Sequence, residues 1–315
     1  MWLALAGAAN AECVAAPEFP PAPITGLAVG AAGADAASAA TRRDYGGRVV
    51  APVYVNGQGP FRFIVDTGAN RSVLSSAVAT QLGLTPSSIG EVHSIASVAL
   101  APLVNVDSIT FQGLRLESAA LPVMDGGALS EHGVLGVDGM RGHRLRIDFE
   151  RGCMEIMRES RPPPENWWSV QGELRMGNLL LAHATIEGVP VNVLVDSGSD
   201  VTLANHALRT AIGRARQRRA TAFLATSVTS GTYRFSDFAL TLPDVRMGEV
   251  TIRNLSAYPA DFHIFDLWGL QDEPTLLIGM DALSAVGAME IDYANARLFF
   301  RRERVESTRA RVHGD

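Results

Sequence analysis

Phe61-Arg62-Phe63-Ile64-Val65-Asp66-Thr67-Gly68-Ala69-Asn70 recurs in the same chain as Val191-Asn192-Val193-Leu194-Val195-Asp196-Ser197-Gly198-Ser199-Asp200. Runs such as Phe63-Ile64-Val65 combine β-branched and aromatic residues and predict buried strands. Each strand then delivers a carboxylate, a group that avoids burial, into a glycine-containing turn. That conflict between local preferences marks a candidate site. One Asp-Thr/Ser-Gly tripeptide would say little, since about 0.15 are expected by chance in a chain of this length. Two copies, each behind an apolar strand, say more.

The flanks repeat as well. Upstream, Val53-Tyr54-Val55 and the Phe61 strand enclose Asn56-Gly57-Gln58-Gly59-Pro60, and Ala184-Thr185-Ile186 and the Val191 strand enclose Glu187-Gly188-Val189-Pro190; both predict hairpins. Downstream, Val73, Leu74, Ala77, Val78 and Leu82 share one helical face, as do Leu203, Ala204, Ala207, Leu208, Ala211 and Ile212, with Gly83 and Gly213 as stops. Gly133-Val134-Leu135-Gly136-Val137-Asp138 answers Thr275-Leu276-Leu277-Ile278-Gly279-Met280-Asp281. Final hairpins are predicted from Ile147-Asp148 to Cys153-Met154-Glu155-Ile156 and from Ile291-Asp292 to Arg297-Leu298-Phe299-Phe300. The two halves share an order of parts.

This pattern resembles the aspartic proteases, and Val65-Asp66-Thr67-Gly68-Ala69 followed by Val134-Leu135-Gly136-Val137-Asp138 is closest to the bacterial retropepsin-like kind. The resemblance runs from about Gly47 to Arg301. It implies an all-β fold of two related β-barrel lobes about a pseudo-twofold axis, with a peptide-binding cleft between them. Retroviral enzymes obtain their second lobe by dimerising; this chain, like pepsin, carries both, so a monomer is expected. Asp66 and Asp196 are the expected catalytic pair, held by the turn residues Thr67, Gly68, Ala69, Ser197, Gly198 and Ser199. Two carboxyls brought close cannot both ionise easily and share one proton, for which aspartic protease dyads are the established example. Such a pair activates water on a peptide or protein substrate with no metal and no cofactor. Ala69 offers no hydroxyl to the dyad whereas Ser199 offers one, which predicts a mildly acidic optimum, roughly pH 4 to 6.

Two other readings are open. A peptide-binding module could keep the fold without catalysis, although it would not need two ionisable groups face to face. A metal-dependent hydrolase built on Asp138, Asp148, Asp281 and Asp292 would lack histidines at ligand spacing. His93, His132, His143, His183, His206 and His263 show no such spacing and no serine partner, and are read as structural.

The 315 residues suffice for two lobes with real cores. A net charge of −6 argues against nucleic acid, and the one basic run, Arg214-Ala215-Arg216-Gln217-Arg218-Arg219, is read as a solvated loop. Residues 1–43 are expected to be a truncated signal peptide, with Ala9-Asn10-Ala11 as its small-x-small site, and an Ala/Pro/Gly-rich linker; export to the periplasm or medium follows from that reading. The apolar stretch is too short for a membrane anchor. The expected first lobe spans 44–160, an interlobe linker 161–169 contains Pro162 to Trp168, the second lobe spans 170–303, and 304–315 form a tail. Cys13 and Cys153 form no disulfide framework, and Cys153 is read as a small core residue. Glu91 to Leu100 stands where the family places the flap, and 221–233 corresponds to it in the second half. Pepsin-like flaps carry a tyrosine, and none occurs between Ala69 and Leu145.

Overall fold

The computed structural model describes residues 36–302 apart from 45–46, 113, 117–119, 126–128, 159–164, 213–215, 220–223, 228–230 and 235–237. The fold is all-β, with short helices between strands. Expectations for residues 1–35, Pro162 to Pro164, Gly213 and the tail fall outside the described residues.

Each lobe starts from a predicted hairpin. Val49–Val55 pairs with Gln58–Val65, and Leu179–Ile186 with Val189–Val195. Asn56 and Gly57 both take positive φ (49° and 74°), as do Glu187 and Gly188 (49° and 84°), the geometry of a two-residue turn that matches strand twist. The second strand of each hairpin ends in the acid turn.

The segments after the turns correct the helical reading. Val73–Ser75 and Leu203–Ala204 are strands, and the helices begin only at Ser76–Gln81 and His206–Ile212. Val73 and Leu74 are wedged between Gly133–Leu135, antiparallel, and Leu121–Met124, parallel. Leu203–Ala204 lies likewise between Thr275–Ile278 and Ser256–Pro259. Pairing on both sides overrides a helical pattern only two turns long. Ser75 Oγ caps the first helix by accepting from Val78 N (3.3 Å), and Asn205 Oδ1 accepts from Leu208 N (2.9 Å) at the second.

The predicted final hairpins, His143–Asp148 with Cys153–Arg158 and Ala288–Asp292 with Arg297–Arg301, join across the lobes. His143–Asp148 pairs antiparallel with Ala288–Asp292, so one continuous sheet runs Ala36–Ala40, Cys153–Arg158, His143–Asp148, Ala288–Asp292, Arg297–Arg301, Trp167–Arg175. Its acids are paired: Arg144 Nε donates to Asp292 Oδ2 (2.8 Å), Arg146 Nε to Glu290 Oε2 (2.8 Å) and Arg301 NH1 to Asp148 Oδ2 (2.7 Å). Asp148 and Asp292 are therefore committed to tying the lobes together.

Four further expectations change here. Ala36–Ala40 and Arg42–Arg43 are strands, the first on the edge of the interlobe sheet, because edge pairing needs backbone and not side-chain bulk. The linker reading therefore fails for these residues. Trp167 and Trp168, read as linker, belong to the strand Trp167–Arg175 paired with Arg297–Arg301. Arg216–Arg219, read as a loop, pairs with Phe238–Thr241. Cys153 is disulfide-bonded, with its partner outside the described residues.

Candidate active site

The acid turns meet at the lobe junction. Asp66 N donates to Leu135 O (3.0 Å) and Asp196 N to Ile278 O (2.9 Å), so each aspartate is fixed to the strand beside it. Gly68 N donates to Asp66 Oδ1 (2.9 Å) and Gly198 N to Asp196 Oδ1 (2.8 Å), which orients both carboxyls. A hydrogen bond joins the two carboxyls, and both residues are over nine-tenths buried.

The glycines are required by close approach. A Cβ on Gly68 would lie 2.5 Å from Asp196 Cγ, and one on Gly198 would come still nearer to Asp66. Each glycine thus opens the space that the other lobe's carboxyl fills.

Thr67 and Ser197 lock the turns to each other. Thr67 Oγ1 donates to Val195 O (2.7 Å) and accepts from Ser197 N (3.0 Å); Ser197 Oγ donates to Val65 O (2.7 Å) and accepts from Thr67 N (3.2 Å). All four bonds cross between lobes, and both side chains are fully buried.

A second pair of hydroxyls, missed in the sequence, braces the turns from behind. Ser72 Oγ donates to Asp138 Oδ1 (2.6 Å) and accepts from Gly136 N (3.1 Å). Thr202 Oγ1 donates to Asp281 Oδ1 (2.7 Å) and accepts from Gly279 N (3.2 Å). Gly136 passes so close under the turn that a Cβ would meet Ala69 O at 2.7 Å. The acid after each apolar-Gly motif is thereby explained as a brace. The signal for it was the equal spacing of Ser72 and Thr202 behind their aspartates.

Ala69 and Ser199 hold the turn by their backbones, accepting from Val137 N (2.9 Å) and Met280 N (2.8 Å). The expected hydroxyl asymmetry is corrected. Ser199 Oγ donates to Val201 O (2.8 Å) instead of to the dyad, because the turn brings that carbonyl within reach.

The electrostatics split the pair. Burial pushes Asp66 up from its ordinary value, while its hydrogen bond with Asp196, the Gly68 N–H and the Arg48 guanidinium oppose the shift. Burial pushes Asp196 well up, and the charge of Asp66 adds to it. The two carboxyls therefore hold one proton between them. Tyr293, wholly buried, has its phenol raised by burial and by the charge of Asp66, and stays neutral.

The dyad opens into a cavity of about 60 Å³ walled by Ile264, Trp268, Leu277 and the flap residues His93, Ser94 and Ile95. The flap is the predicted hairpin, Pro86–His93 with Val98–Val104. A larger cavity of about 370 Å³ adjoins it, with Val73, Leu179, Leu267 and Trp268 as apolar walls and Arg71 and Glu91 among its polar ones. In the second half, Leu224–Ser227 and Gly231–Arg234 form the corresponding hairpin. The histidines are structural at three positions: His132 Nδ1 accepts from Arg62 N (3.1 Å), His143 Nδ1 lies 3.0 Å from Arg141 O, and His206 pairs with Asp261 (2.8 Å). His93 and His263, 170 residues apart, meet each other. Among the described residues no group of three or more His, Cys, Asp or Glu is placed to hold a metal ion.

No curated protein matches the chain. The aspartyl protease family model matches residues 51–138 and 182–282, one stretch in each lobe and together more than half of the sequence. Each stretch contains one acid turn and its brace, and the chain belongs to the aspartyl protease family.

Proposed function

We propose that the protein is an aspartic endopeptidase in which Asp66 and Asp196 activate water against a peptide bond. The observation that carries this reading is the pair of buried carboxyls, joined to each other and each oriented by its own turn glycine, at the floor of an interlobe cleft. Asp66, ionised, takes a proton from a bound water as the water oxygen attacks the peptide carbonyl carbon. Asp196 gives its proton to the carbonyl oxygen, forming a neutral gem-diol. The C–N bond then breaks as the nitrogen takes a proton from Asp66, the diol returns one to Asp196, and a carboxyl and an amine leave. The dyad ends with the single proton it began with.

The large adjoining cavity supports an extended substrate with an apolar side chain next to the scissile bond. The cross-lobe sheet within one chain supports a monomer as the active unit. The disulfide at Cys153 supports an oxidising compartment, consistent with export.

Digestion of a peptide library by the purified chain tests the activity, with Asp66→Asn and Asp196→Asn as controls. Each substitution is expected to cost at least about 10³-fold in kcat/KM with an unchanged circular dichroism spectrum, since asparagine keeps the shape but cannot trade the proton. Peptides that bind without being cut would instead identify a binding module.

A further inference from the structure

The flap is tied to the second lobe at two points. His93 Nδ1 and His263 Nε2 are 2.9 Å apart, and Ile264 N donates to Ile95 O (3.1 Å). The imidazole centroids are 5.3 Å apart with planes only 16° from parallel. With nitrogens in contact, that separation means the rings meet nose to nose in one plane; rings stacked face to face could not bring these two nitrogens so near at that centroid distance. The contact is a nitrogen-to-nitrogen hydrogen bond, which needs one N–H and one bare nitrogen. Ile264 lies in the first turn of the helix His263–Leu267, whose N-cap Phe262 supplies no side-chain acceptor. Ile95 O fills that vacancy, so the flap tip satisfies a helix donor that would otherwise lack a partner.

The docked flap leaves about 60 Å³ over the dyad, a space that opens into the larger cavity beside it. Lifting the flap from the helix would widen it for a peptide laid across both carboxyls. We propose that His93 and His263 form a proton-operated latch: the flap is held shut while the pair carries at most one extra proton, and is released when both imidazoles are charged. A singly protonated pair still has one acceptor nitrogen. A doubly protonated pair has none and places two positive charges against each other.

The surroundings act in both directions. Glu91 Oε2 lies 3.5 Å from His93 Nε2, and Asp66 and Asp196 border the same cavity; Asp266 lies on the helix of His263. These acids place negative charge around the pair. Arg71 on the adjoining wall places positive charge there. Asp261, just before that helix, is already paired with His206. Opening on acidification would coincide with the mildly acid range in which a singly protonated dyad works, so access and chemistry would switch on together. The latch stands on its own geometry; only its effect on turnover rests on the peptidase reading.

The Ile264 amide reports on the latch directly, because its hydrogen can exchange only when Ile95 O has moved away. Hydrogen–deuterium exchange of the full chain, corrected for intrinsic rates, is expected to show this amide about tenfold less protected near pH 5 than near pH 7. His93→Asn/His263→Gln replaces the two facing nitrogens by amides that can hydrogen-bond at either pH, and its protection is expected not to change. His263→Phe removes the bond and is expected to lose protection at both. Wild-type protection that ignores pH, or a double variant that follows pH as the wild type does, would overturn the latch. Parallel peptide assays separate the two ideas: a pH-responsive flap without cleavage defeats the peptidase reading alone, and cleavage with an unresponsive flap defeats the latch alone.

Discussion

In the first lobe Asp66 feels the Arg48 guanidinium and lies under a flap that reaches across to the other lobe. In the second, Asp196 answers chiefly to burial and to Asp66 itself, and its neighbour Ser199 turns its hydroxyl away to Val201 O. Otherwise the turns match bond for bond, down to the hydroxyl behind each and the strand that closes it. Equal frames with unequal surroundings give a pair whose geometry is symmetric and whose electrostatics are not. In the proposed mechanism the symmetric frame would aim both carboxyls at one water, and the asymmetry would bear on which accepts and which donates.

The matched frame is the most sensitive part. Gly198→Ala would drive a methyl into Asp66, and Gly68→Ala one into Asp196. Both are expected to lose at least about 10²-fold in kcat/KM, the scale of a misplaced catalytic group, with Gly198→Ala the worse because its clearance is smaller. Steady-state assays showing either variant near wild type would mean that the carboxyls have freedom this packing denies them.

The cross-lobe hydroxyls come next. Ser197→Ala and Thr67→Val each remove one donor and one acceptor from fully buried backbone partners, and each is expected to cost about 1–3 kcal/mol in denaturant unfolding. The double variant should cost less than the sum, because the four bonds form one closed ring. Strict additivity would show that the two sides act separately.

The smallest effect probes the asymmetry. Arg48 opposes the burial shift of Asp66, so Arg48→Gln is expected to move the acid limb of the pH–rate profile to higher pH, by less than about one unit. A move to lower pH would show that the Arg48 charge does not act on the dyad in this way.

Much of this frame was legible because it is local: an apolar strand ending in Asp-Thr-Gly or Asp-Ser-Gly, and Asn56-Gly57 at a hairpin turn, each specify their geometry within a few residues. Val73 and Leu74 misled because two apolar residues before a helix carry no period of their own, and sheet pairing on both sides decided them. Ala36–Ala40 escaped notice because its strand is held by edge backbone bonds, which small side chains do not announce. His93 and His263 could not be paired from sequence at all. Their contact depends on where a hairpin tip lands on a helix 170 residues away, and no spacing rule encodes that.

That two lobes share one working proton is tested most directly by kcat/KM against pH on one fluorogenic peptide, measured in His93→Asn/His263→Gln so that the flap does not follow pH. Below the first ionisation of the dyad no carboxylate remains to accept the water's proton, and above the second no acid remains to protonate the carbonyl oxygen. Burial raises both aspartates, so both limbs should stand above those of a solvated pair. The account predicts a bell with its optimum at roughly pH 4 to 6 and some activity toward neutrality. An optimum near pH 2, or a rate still rising above about pH 8, would contradict a shared proton in this buried site.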